Sequence, residues 1–253
     1  RSIGMLCVVY LDDFVFVFGS LEEAQKGAQF LIEIFQSLGL TINWKKSVLV
    51  PTQSIEYLGF VVDSLVQKIF IPASKLAVIQ NYIDSLVGKE SRYIIVNARL
   101  AAKVAGKVIA YMKAFAPARL MLRPLYRCLS NVALVNAWSS SILLDAEVIS
   151  RLKWIGANIQ SWNGTFFSRP SQVIQFFSDA SSTGFGFHCG SVSFQGSWSA
   201  EEINLHINAK ELLAVAKGIQ YCKFLLAGRR VQGFIDSEVA RCYLNAMGGR
   251  ITY

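Results

Sequence analysis

The first long apolar segment spans residues 5–18 and is interrupted at its centre by Asp12 and Asp13. Apolar residues on both sides of a short polar pair predict a strand, a tight turn and a second strand. Apolar positions then recur with helical spacing over residues 21–38, and Gly39 provides a stop signal. Residues 40–50 and 54–63 have extended patterns, so the chain is predicted to begin with strands enclosing one helix.

The middle of the chain is mainly helical in pattern. A short strand at residues 69–72 is followed by a helix at 74–87, which Gly88 is expected to close. A second helix is predicted at 97–116, with Asn97 as its N-cap and Pro117 beyond its end, and a third at 144–159. On the second helix Arg99, Lys103 and Lys107 recur every four residues, which predicts a basic stripe.

Residues 163–172 contain Gly164 and Pro170 among polar residues, and they form the best candidate domain boundary. After them the pattern predicts strands at 173–179, 184–189 and 192–198, a long helix at 208–226, a strand at 231–236 and a helix at 238–247 that ends at Gly248-Gly249. This order predicts an α/β domain. The fold class is therefore α/β (α+β), with divisions at 1–63, 64–165 and 172–253.

Composition narrows the class of protein. The 253 residues are 53% hydrophobic with a mean hydropathy of +0.39, yet no apolar run reaches the roughly 18 to 20 residues of a membrane-spanning helix. We therefore expect buried strands and helices and no membrane partner. The chain starts at Arg1 without a signal-peptide pattern, and its five cysteines lack metal-ligand spacing. A cytoplasmic or nuclear protein with reduced thiols is expected, not a secreted one.

The positive charge is concentrated in the middle. Between Ser64 and Ser130 there are eleven lysines and arginines and only two acids, Asp84 and Glu90. This segment therefore has a net charge of +9, and the rest of the chain has about −1, which gives +8 in total. Such a bias favours a polyanionic partner, although an ordinary solvated helix face would give the same pattern.

The two adjacent carboxylates of Tyr10-Leu11-Asp12-Asp13 lie at the tip of the predicted hairpin. Aspartates are common in plain β-turns for backbone reasons. The functional alternative is a Mg²⁺ site, because strands hold hard oxygen ligands rigidly enough for phosphoryl transfer.

The segment resembles the Tyr-x-Asp-Asp region of retrotransposon reverse transcriptases. The resemblance continues through Gly39-Leu40-Thr41-Ile42-Asn43, Lys45-Lys46-Ser47 and Ile55-Glu56-Tyr57-Leu58-Gly59-Phe60-Val61-Val62-Asp63. It implies a palm at 1–63 in which Tyr10 contacts nucleic acid, Lys45 or Lys46 lies near the incoming nucleotide, and Leu58, Gly59 and Phe60 position the primer terminus. Core packing is an alternative role for Leu58 and Phe60, and both roles can hold together. The segment 64–165 then resembles a thumb or connection, whose Arg99, Lys103 and Lys107 would contact phosphates.

Three further acids follow the pattern of a nuclease. Asp179 and Asp236 end two predicted strands, and Glu211 lies on the inward side of a predicted helix. Each acid alone is typical of a solvated strand end, but all three in this order of elements resemble the RNase H family. That family implies two Mg²⁺ or Mn²⁺ ions per active site, held by these carboxylates for cleavage of an RNA/DNA hybrid. His206 and His188 are interpreted as structural.

The second half is similar to DIRS-like retrotransposons, which carry a tyrosine recombinase. The similarity lies in Gly196-Ser197-Trp198-Ser199-Ala200-Glu201-Glu202, Leu205-His206-Ile207-Asn208, Glu211-Leu212-Leu213-Ala214 and Tyr243-Leu244-Asn245 to Met247-Gly248-Gly249. The sequence departs from that pattern at Asp236-Ser237, where Asp-Asn is usual, at Glu238, and at Ala209 and Lys210, where apolar residues are usual. These departures suggest sequence drift and count against full RNase activity.

The resemblance implies an RNA-directed DNA polymerase with an RNase H domain, acting on an RNA template, a DNA primer and dNTPs within a retrotransposon polyprotein. A third palm carboxylate is expected upstream and a fourth RNase H acid downstream, so residues 1–253 alone are expected to lack polymerase activity and to have weak RNase H activity. Two other classes remain open, a non-catalytic hybrid-binding module and a decayed genomic copy.

Overall fold

The computed structural model describes residues 5–87, 92–167 and 173–247. Arg1, the helix stop predicted at Gly88, Pro170 of the predicted boundary and the helix end at Gly248-Gly249 lie outside these residues. The described chain is a mixed α/β protein, as predicted. Within these ranges no helix combines the length and the apolar character that crossing a bilayer requires.

The chain begins with the predicted hairpin and helix. Strands β1 (Leu6–Tyr10) and β2 (Asp13–Val17) pair antiparallel, with Tyr10 opposite Asp13. Helix α1 (Leu21–Ser37) starts at Ser20, whose hydroxyl accepts the backbone N–H of Glu23 at 3.2 Å. The ring of Phe35 on α1 packs against Phe14 of β2, with ring centroids 5.1 Å apart. These contacts fasten the hairpin to the helix.

The prediction of an extended segment at residues 40–50 is wrong, because this stretch contains no strand. The side chain of Asn43 accepts the N–H of Lys46 at 3.3 Å, and its carbonyl accepts the N–H of Ser47 at 2.9 Å. Asparagine readily forms such local bonds, and they fold the segment into a turn in place of a strand.

The extended pattern at residues 54–63 is confirmed as two strands. β3 (Ser54–Tyr57) and β4 (Phe60–Asp63) pair antiparallel, and β5 (Lys68–Phe70) adds to β4. The turn between β3 and β4 places Leu58 at φ 49° and Gly59 at φ 79°. Two successive left-handed residues form the tight hairpin turn that matches the twist of the strands.

The middle segment is a helical assembly with a small two-stranded sheet. Its elements are α2 (Ala73–Val87), β6 (Ile94–Asn97), α3 (Ala98–Ile109), α4 (Ala118–Met121), α5 (Arg123–Leu134), β7 (Ser141–Leu144) and α6 (Ala146–Asn158). The helices bury Phe115, Leu125, Leu144 and Ile155 almost completely. Each such side chain contributes roughly 1.5 to 3 kcal/mol by leaving water, so this cluster is the main core of the chain.

Several predicted boundaries in this segment needed correction. Asn97 caps α3 as predicted, but the helix ends at Ile109 rather than near residue 116. The predicted helix at 144–159 begins later, because Leu144 belongs to β7 and Asp145 is the N-cap of α6. The pairing of β6 with β7, and helix α5, have no counterpart among the predictions.

A last short strand returns the chain to the first sheet. β8 (Thr165–Phe166) pairs with β5, which gives the strand order β3-β4-β5-β8. Asn163 strengthens this closure, since its amide group accepts from the N–H of Ile71 at 2.8 Å and donates to the carbonyl of Ile71 at 3.0 Å. The predicted boundary region therefore packs on the preceding segment up to residue 167.

The C-terminal segment forms its own sheet. Strands β9 (Val173–Ala180), β10 (Gly184–Cys189) and β11 (Val192–Ser197) are antiparallel, and helices α7 (Ile207–Tyr221) and α8 (Lys223–Leu226) lead to β12 (Arg230–Ile235) and α9 (Glu238–Asn245). The strand order is β11-β10-β9-β12, with β12 parallel to β9. The strands agree with the predictions to within one residue, whereas the single helix predicted at 208–226 is wrong because it breaks at Cys222.

Helix α7 lies very close to β10. A Cβ atom built on Gly218 would lie 1.9 Å from Cδ2 of Phe187, whose side chain is buried. The absence of a side chain at Gly218 therefore sets the distance between helix and sheet. Gly106 in α3 is the opposite case, because a Cβ there meets nothing within 4 Å.

We predict that Gly218→Ala lowers the free energy of unfolding by about 1 to 3 kcal/mol, because the added methyl forces the helix and Phe187 apart. The matched control Gly106→Ala should raise it by about 0.5 to 1 kcal/mol, because alanine restricts the unfolded chain without a clash. Urea unfolding followed by circular dichroism measures both. Equal effects of the two substitutions would contradict the close approach.

Candidate active sites

Three carboxylates meet at one edge of the C-terminal sheet. Asp179 lies near the end of β9 and Asp236 directly follows β12. Because the two strands are parallel with Ser178 opposite Ile235, their next residues are neighbours. Glu211 reaches the same point from α7, and the ligand atoms of the three acids lie within 4.8 Å of one another. The described residues contain no other such group of three potential metal ligands.

The position of Glu211 is set by the start of α7. His206 is the N-cap, and its Nδ1 accepts the N–H of Asn208 at 3.2 Å, which agrees with its predicted structural role. Lys210 is 4% exposed, and its Nζ donates to the carbonyl of Ser182 at 2.9 Å. This bond fastens α7 to the loop after β9, so the neighbouring Glu211 is directed at the end of that strand.

Glu211 is the buried member of the cluster. It is 4% exposed, and its Oε2 has no hydrogen-bond partner. Burial raises the pKa of the Glu211 carboxyl, and the charges of Asp236 and Asp179 raise it further, against a smaller opposing effect of the Ala180 backbone N–H. The cluster therefore concentrates negative charge that its own surroundings do not neutralise.

The donor set fits a hard divalent cation. Carboxylate oxygens are the ligands that Mg²⁺ and Mn²⁺ prefer. A bound cation would give the orphaned Oε2 of Glu211 a partner and would offset the mutual repulsion of the three acids. Asp179 and Asp236 are exposed, so this side of the cluster is open to solvent.

A groove extends from the carboxylates across the face of the sheet opposite α7. Phe177 and Phe234, on the neighbouring strands β9 and β12, stack with ring centroids 4.8 Å apart and remain 47% and 39% exposed. His188 lies beside them, and its Nδ1 is 3.0 Å from the hydroxyl of Ser193. The histidine thus belongs to the groove wall rather than to the carboxylate cluster.

Three of the residues that depart from the DIRS-like pattern, Ser237, Glu238 and Lys210, have local structural roles. Ser237 is the N-cap of α9, since its hydroxyl accepts the N–H of Ala240 at 3.2 Å. Glu238 is held by Arg241, whose Nε donates to it at 2.8 Å. Lys210 acts through its bond to Ser182, a role that no local sequence signal indicates. Its side chain thus lies inside the fold with its charge capped by a carbonyl.

The other predicted carboxylate site is exposed. Asp12 and Asp13 lie at the tip of the β1–β2 hairpin, and Leu11 in the turn has φ 54°. Tyr10 precedes them and is 57% exposed. Among the described residues no third acid lies close enough to complete a cluster with these two.

A tyrosine links this hairpin to the next one. The Tyr57 hydroxyl on β3 lies 3.4 Å from the carbonyl of Val8 and 3.3 Å from that of Asp13. Burial raises the pKa of Tyr57, with smaller contributions from Asp13 and Cys7, so the hydroxyl remains a donor at neutral pH. Because Leu58 follows directly, this contact sets the β3–β4 turn relative to the two aspartates.

The remaining predicted binding residues lie at separate places. Leu58 and Gly59 form the β3–β4 turn, and Leu58 is 45% exposed. Phe60 packs edge-on against Tyr111 at 5.5 Å, so it has the packing contact that was its alternative role. Lys45 and Lys46 are exposed in the turn after α1, and no described ion pair joins them to the aspartates.

The basic stripe lies on the outer side of α3. The opposite face buries Ala98, Ala101, Val104, Ala105 and Val108. Lys103 and Lys107 extend toward the ring of Tyr82 on α2, with Nζ at 4.9 Å and 5.8 Å from its centroid. A hydrogen bond from Lys103 lowers the pKa of Tyr82. Arg99 is exposed at the start of the same helix.

Residues 1–62 match the family described as "Reverse transcriptase (RNA-dependent DNA polymerase)". No curated protein is significantly similar to the chain in sequence.

Solved structures of a foamy viral protease-reverse transcriptase share the fold. The form named dRH, in complex with double-stranded DNA, has a TM-score of 0.53 at 16% identity. The matched region covers 94% of this chain and 40% of the foamy viral chain. The complex with an RNA/DNA hybrid has the same TM-score and identity, and the match covers 91% of this chain and 30% of the viral chain. A further double-stranded DNA complex has a TM-score of 0.51 at 16% identity, and the match covers 94% of this chain and 48% of the viral chain. The chain thus has the fold of part of a reverse transcriptase and spans less than half of these proteins.

We predict that Tyr57→Phe accelerates amide hydrogen exchange in residues 6–17 by about two- to tenfold, because one weak hydrogen bond to the hairpin is lost. Tyr126→Phe, at an exposed position on α5, is the control and should leave these amides unchanged. Hydrogen–deuterium exchange mass spectrometry of residues 6–17 measures the difference. Unchanged exchange in Tyr57→Phe would show that the hydroxyl does not hold the hairpin.

We predict that Glu211→Gln stabilises the protein at pH 7 without divalent cations, because an uncharged isostere removes the cost of the buried charge. The folded-state pKa is raised above 4.5, so the advantage of the variant should shrink as pH falls through the raised value and vanish below 4.5. Mg²⁺ or Mn²⁺ should stabilise the wild type more than the variant.

Urea unfolding across a pH series measures this difference. Glu201→Gln, at an exposed glutamate outside the cluster, provides the control and should show no such trend. A Glu211→Gln variant less stable than the wild type at pH 7 would mean that the charge of Glu211 is already compensated within the protein.

Proposed function

We propose that the chain is part of a retrotransposon polyprotein and acts in RNA-directed DNA synthesis coupled to degradation of the RNA strand. In this proposal 1–63 is the C-terminal part of the palm, 64–165 the thumb or connection, and 172–253 an RNase H-like domain. The observation that carries it is the convergence of Asp179, Glu211 and Asp236 on one sheet edge, in a chain whose first 62 residues match the reverse transcriptase family.

The carboxylate cluster supports hydrolysis of the RNA strand of a hybrid. Two Mg²⁺ or Mn²⁺ ions, when bound, supply an activated water and stabilise the leaving oxygen at the scissile phosphate. Glu211, buried and fixed by the start of α7, provides a rigid oxygen ligand, while the exposed Asp179 and Asp236 face the phosphate. The groove next to them, with Phe177 and Phe234, offers a surface along which the hybrid backbone lies.

Nucleotide addition is proposed for the polyprotein rather than for residues 1–253 alone. Asp12 and Asp13 would serve as two of the palm carboxylates, but the described residues place no third acid beside them. Template, primer and dNTPs would meet at this hairpin, with Leu58 and Gly59 near the primer end because Tyr57 holds the two hairpins together. The basic outer face of α3 would contact phosphates of the duplex without reading sequence.

The DIRS-like subtype is part of the proposal, on the strength of the sequence around Trp198, Glu211 and Tyr243. So is a reducing compartment, cytoplasm or nucleus, which the five free cysteines support. A non-catalytic hybrid-binding module is the second candidate, because the basic face of α3 does not depend on the carboxylates. A decayed copy would show stop codons in the flanking DNA.

We predict that the protein cleaves the RNA strand of an RNA/DNA hybrid in Mn²⁺, and that Asp179→Asn reduces cleavage below detection because the cluster loses a charged ligand. Glu201→Gln should retain the wild-type rate. Gel analysis of end-labelled hybrid measures cleavage, and anisotropy in EDTA measures binding. Binding without cleavage in the wild type would favour the non-catalytic module, and cleavage that persists in Asp179→Asn would exclude the proposed site.

A further inference from the structure

A second surface of the C-terminal segment combines an exposed aromatic ring with uncompensated positive charge. Phe224 on α8 is 87% exposed, the highest value among the large hydrophobic side chains exposed in the described ranges. Tyr221, at the end of α7, is 58% exposed and stacks one face of its ring on Phe194 at 4.3 Å. An exposed apolar patch with a polar rim is typical of an interaction site.

The charge around these rings has one sign. No acidic residue occurs between Glu211 and Asp236, whereas that stretch contains Lys217, Lys223, Arg229 and Arg230. Lys217 is paired with Glu202 at 2.8 Å. The other three are exposed and take part in no salt bridge in the described part of the chain. Three positive charges therefore remain available to a polyanion.

Lys223 lies beside Phe224, and Arg229 and Arg230 follow it within six residues of chain. Nζ of Lys223 lies 4.9 Å from the ring centroid, over one face of the ring. Gly228, with φ +70°, reverses the chain after α8, and the N–H of Arg229 donates to the carbonyl of Leu226 at 3.2 Å. Arg230 then begins β12. We call Tyr221, Lys223, Phe224, Arg229 and Arg230 the α8 surface.

The α8 surface is separate from the carboxylate cluster. Arg230 pairs with Val173 at the start of β9, whereas Asp179 lies near the end of that strand. Six residue steps of extended chain lead from Val173 to Asp179 and span about 20 Å. This separation is about six nucleotide steps of a stacked strand. The surface therefore cannot serve as a ligand set for the same phosphate.

We propose that the α8 surface binds single-stranded nucleic acid. An unpaired base can stack on Phe224, whose protruding ring matches any base, while Lys223, Arg229 and Arg230 contact the adjoining phosphates. Paired bases cannot offer their faces to the ring, so a duplex would engage only the cations. The inference does not rest on the proposed nuclease, since it uses none of its carboxylates.

The test is fluorescence anisotropy with a labelled 12-nucleotide oligo-deoxythymidine and a 12-base-pair DNA duplex, in EDTA so that cleavage plays no part. Phe224→Ala should weaken oligonucleotide binding about tenfold and duplex binding less than twofold. Phe224→Trp keeps an aromatic ring and should bind the oligonucleotide with the affinity of the wild type. Arg229→Gln and Arg230→Gln should each reduce the salt slope by about one. Leu134→Ala, at another highly exposed apolar side chain, is the control.

A second measurement separates this surface from other basic faces of the protein. Ultraviolet crosslinking of the oligonucleotide, followed by peptide mapping, should place a crosslink within residues 221–230. The proposal is overturned if Phe224→Ala binds the oligonucleotide as the wild type does, if it loses duplex affinity to the same extent, or if no crosslink falls in this segment. Circular dichroism confirms that each variant is folded.

Discussion

The parallel pairing of β12 with β9 is the constraint on which the candidate nuclease site depends. With Ser178 opposite Ile235, the following residues Asp179 and Asp236 leave the sheet side by side. A slip by one residue would move an aspartate by about 3.3 Å and turn its side chain to the other face. Close packing maintains the register, since a Cβ on Gly233 of β12 would lie 2.3 Å from Phe176 of β9.

The same arrangement explains why a buried glutamate is tolerated. Helix α7 connects the antiparallel strands to β12 and packs on the sheet through Val215 and Gly218. Lys210 is tied to Ser182, and Trp198 donates through Nε1 to the carbonyl of Ser181 at 2.9 Å. The loop after β9 is thus held from two sides, and this rigid scaffold keeps the three carboxylates together despite their electrostatic repulsion.

The two candidate sites differ in how they are supported. The carboxylates of the C-terminal sheet converge within their own segment, one of them buried. Asp12 and Asp13 lie exposed on a hairpin that is fastened by Phe14 to α1 and by Tyr57 to β3. The large helical core, which comes between the two sites in the sequence, contributes a basic outer face on α3.

The sequence by itself determined the features that depend on neighbouring residues: the strands around Asp12 and Asp13, the capped start of α3, and the strand ends that bear Asp179 and Asp236. Alternation, caps and glycine stops are local, so a single chain displays them. Only the tertiary structure decided the pairing of β6 with β7, the buried role of Lys210 and the charged aromatic surface around Phe224. Strand partners and burial depend on residues far away in the chain, and local periodicity carries no record of them.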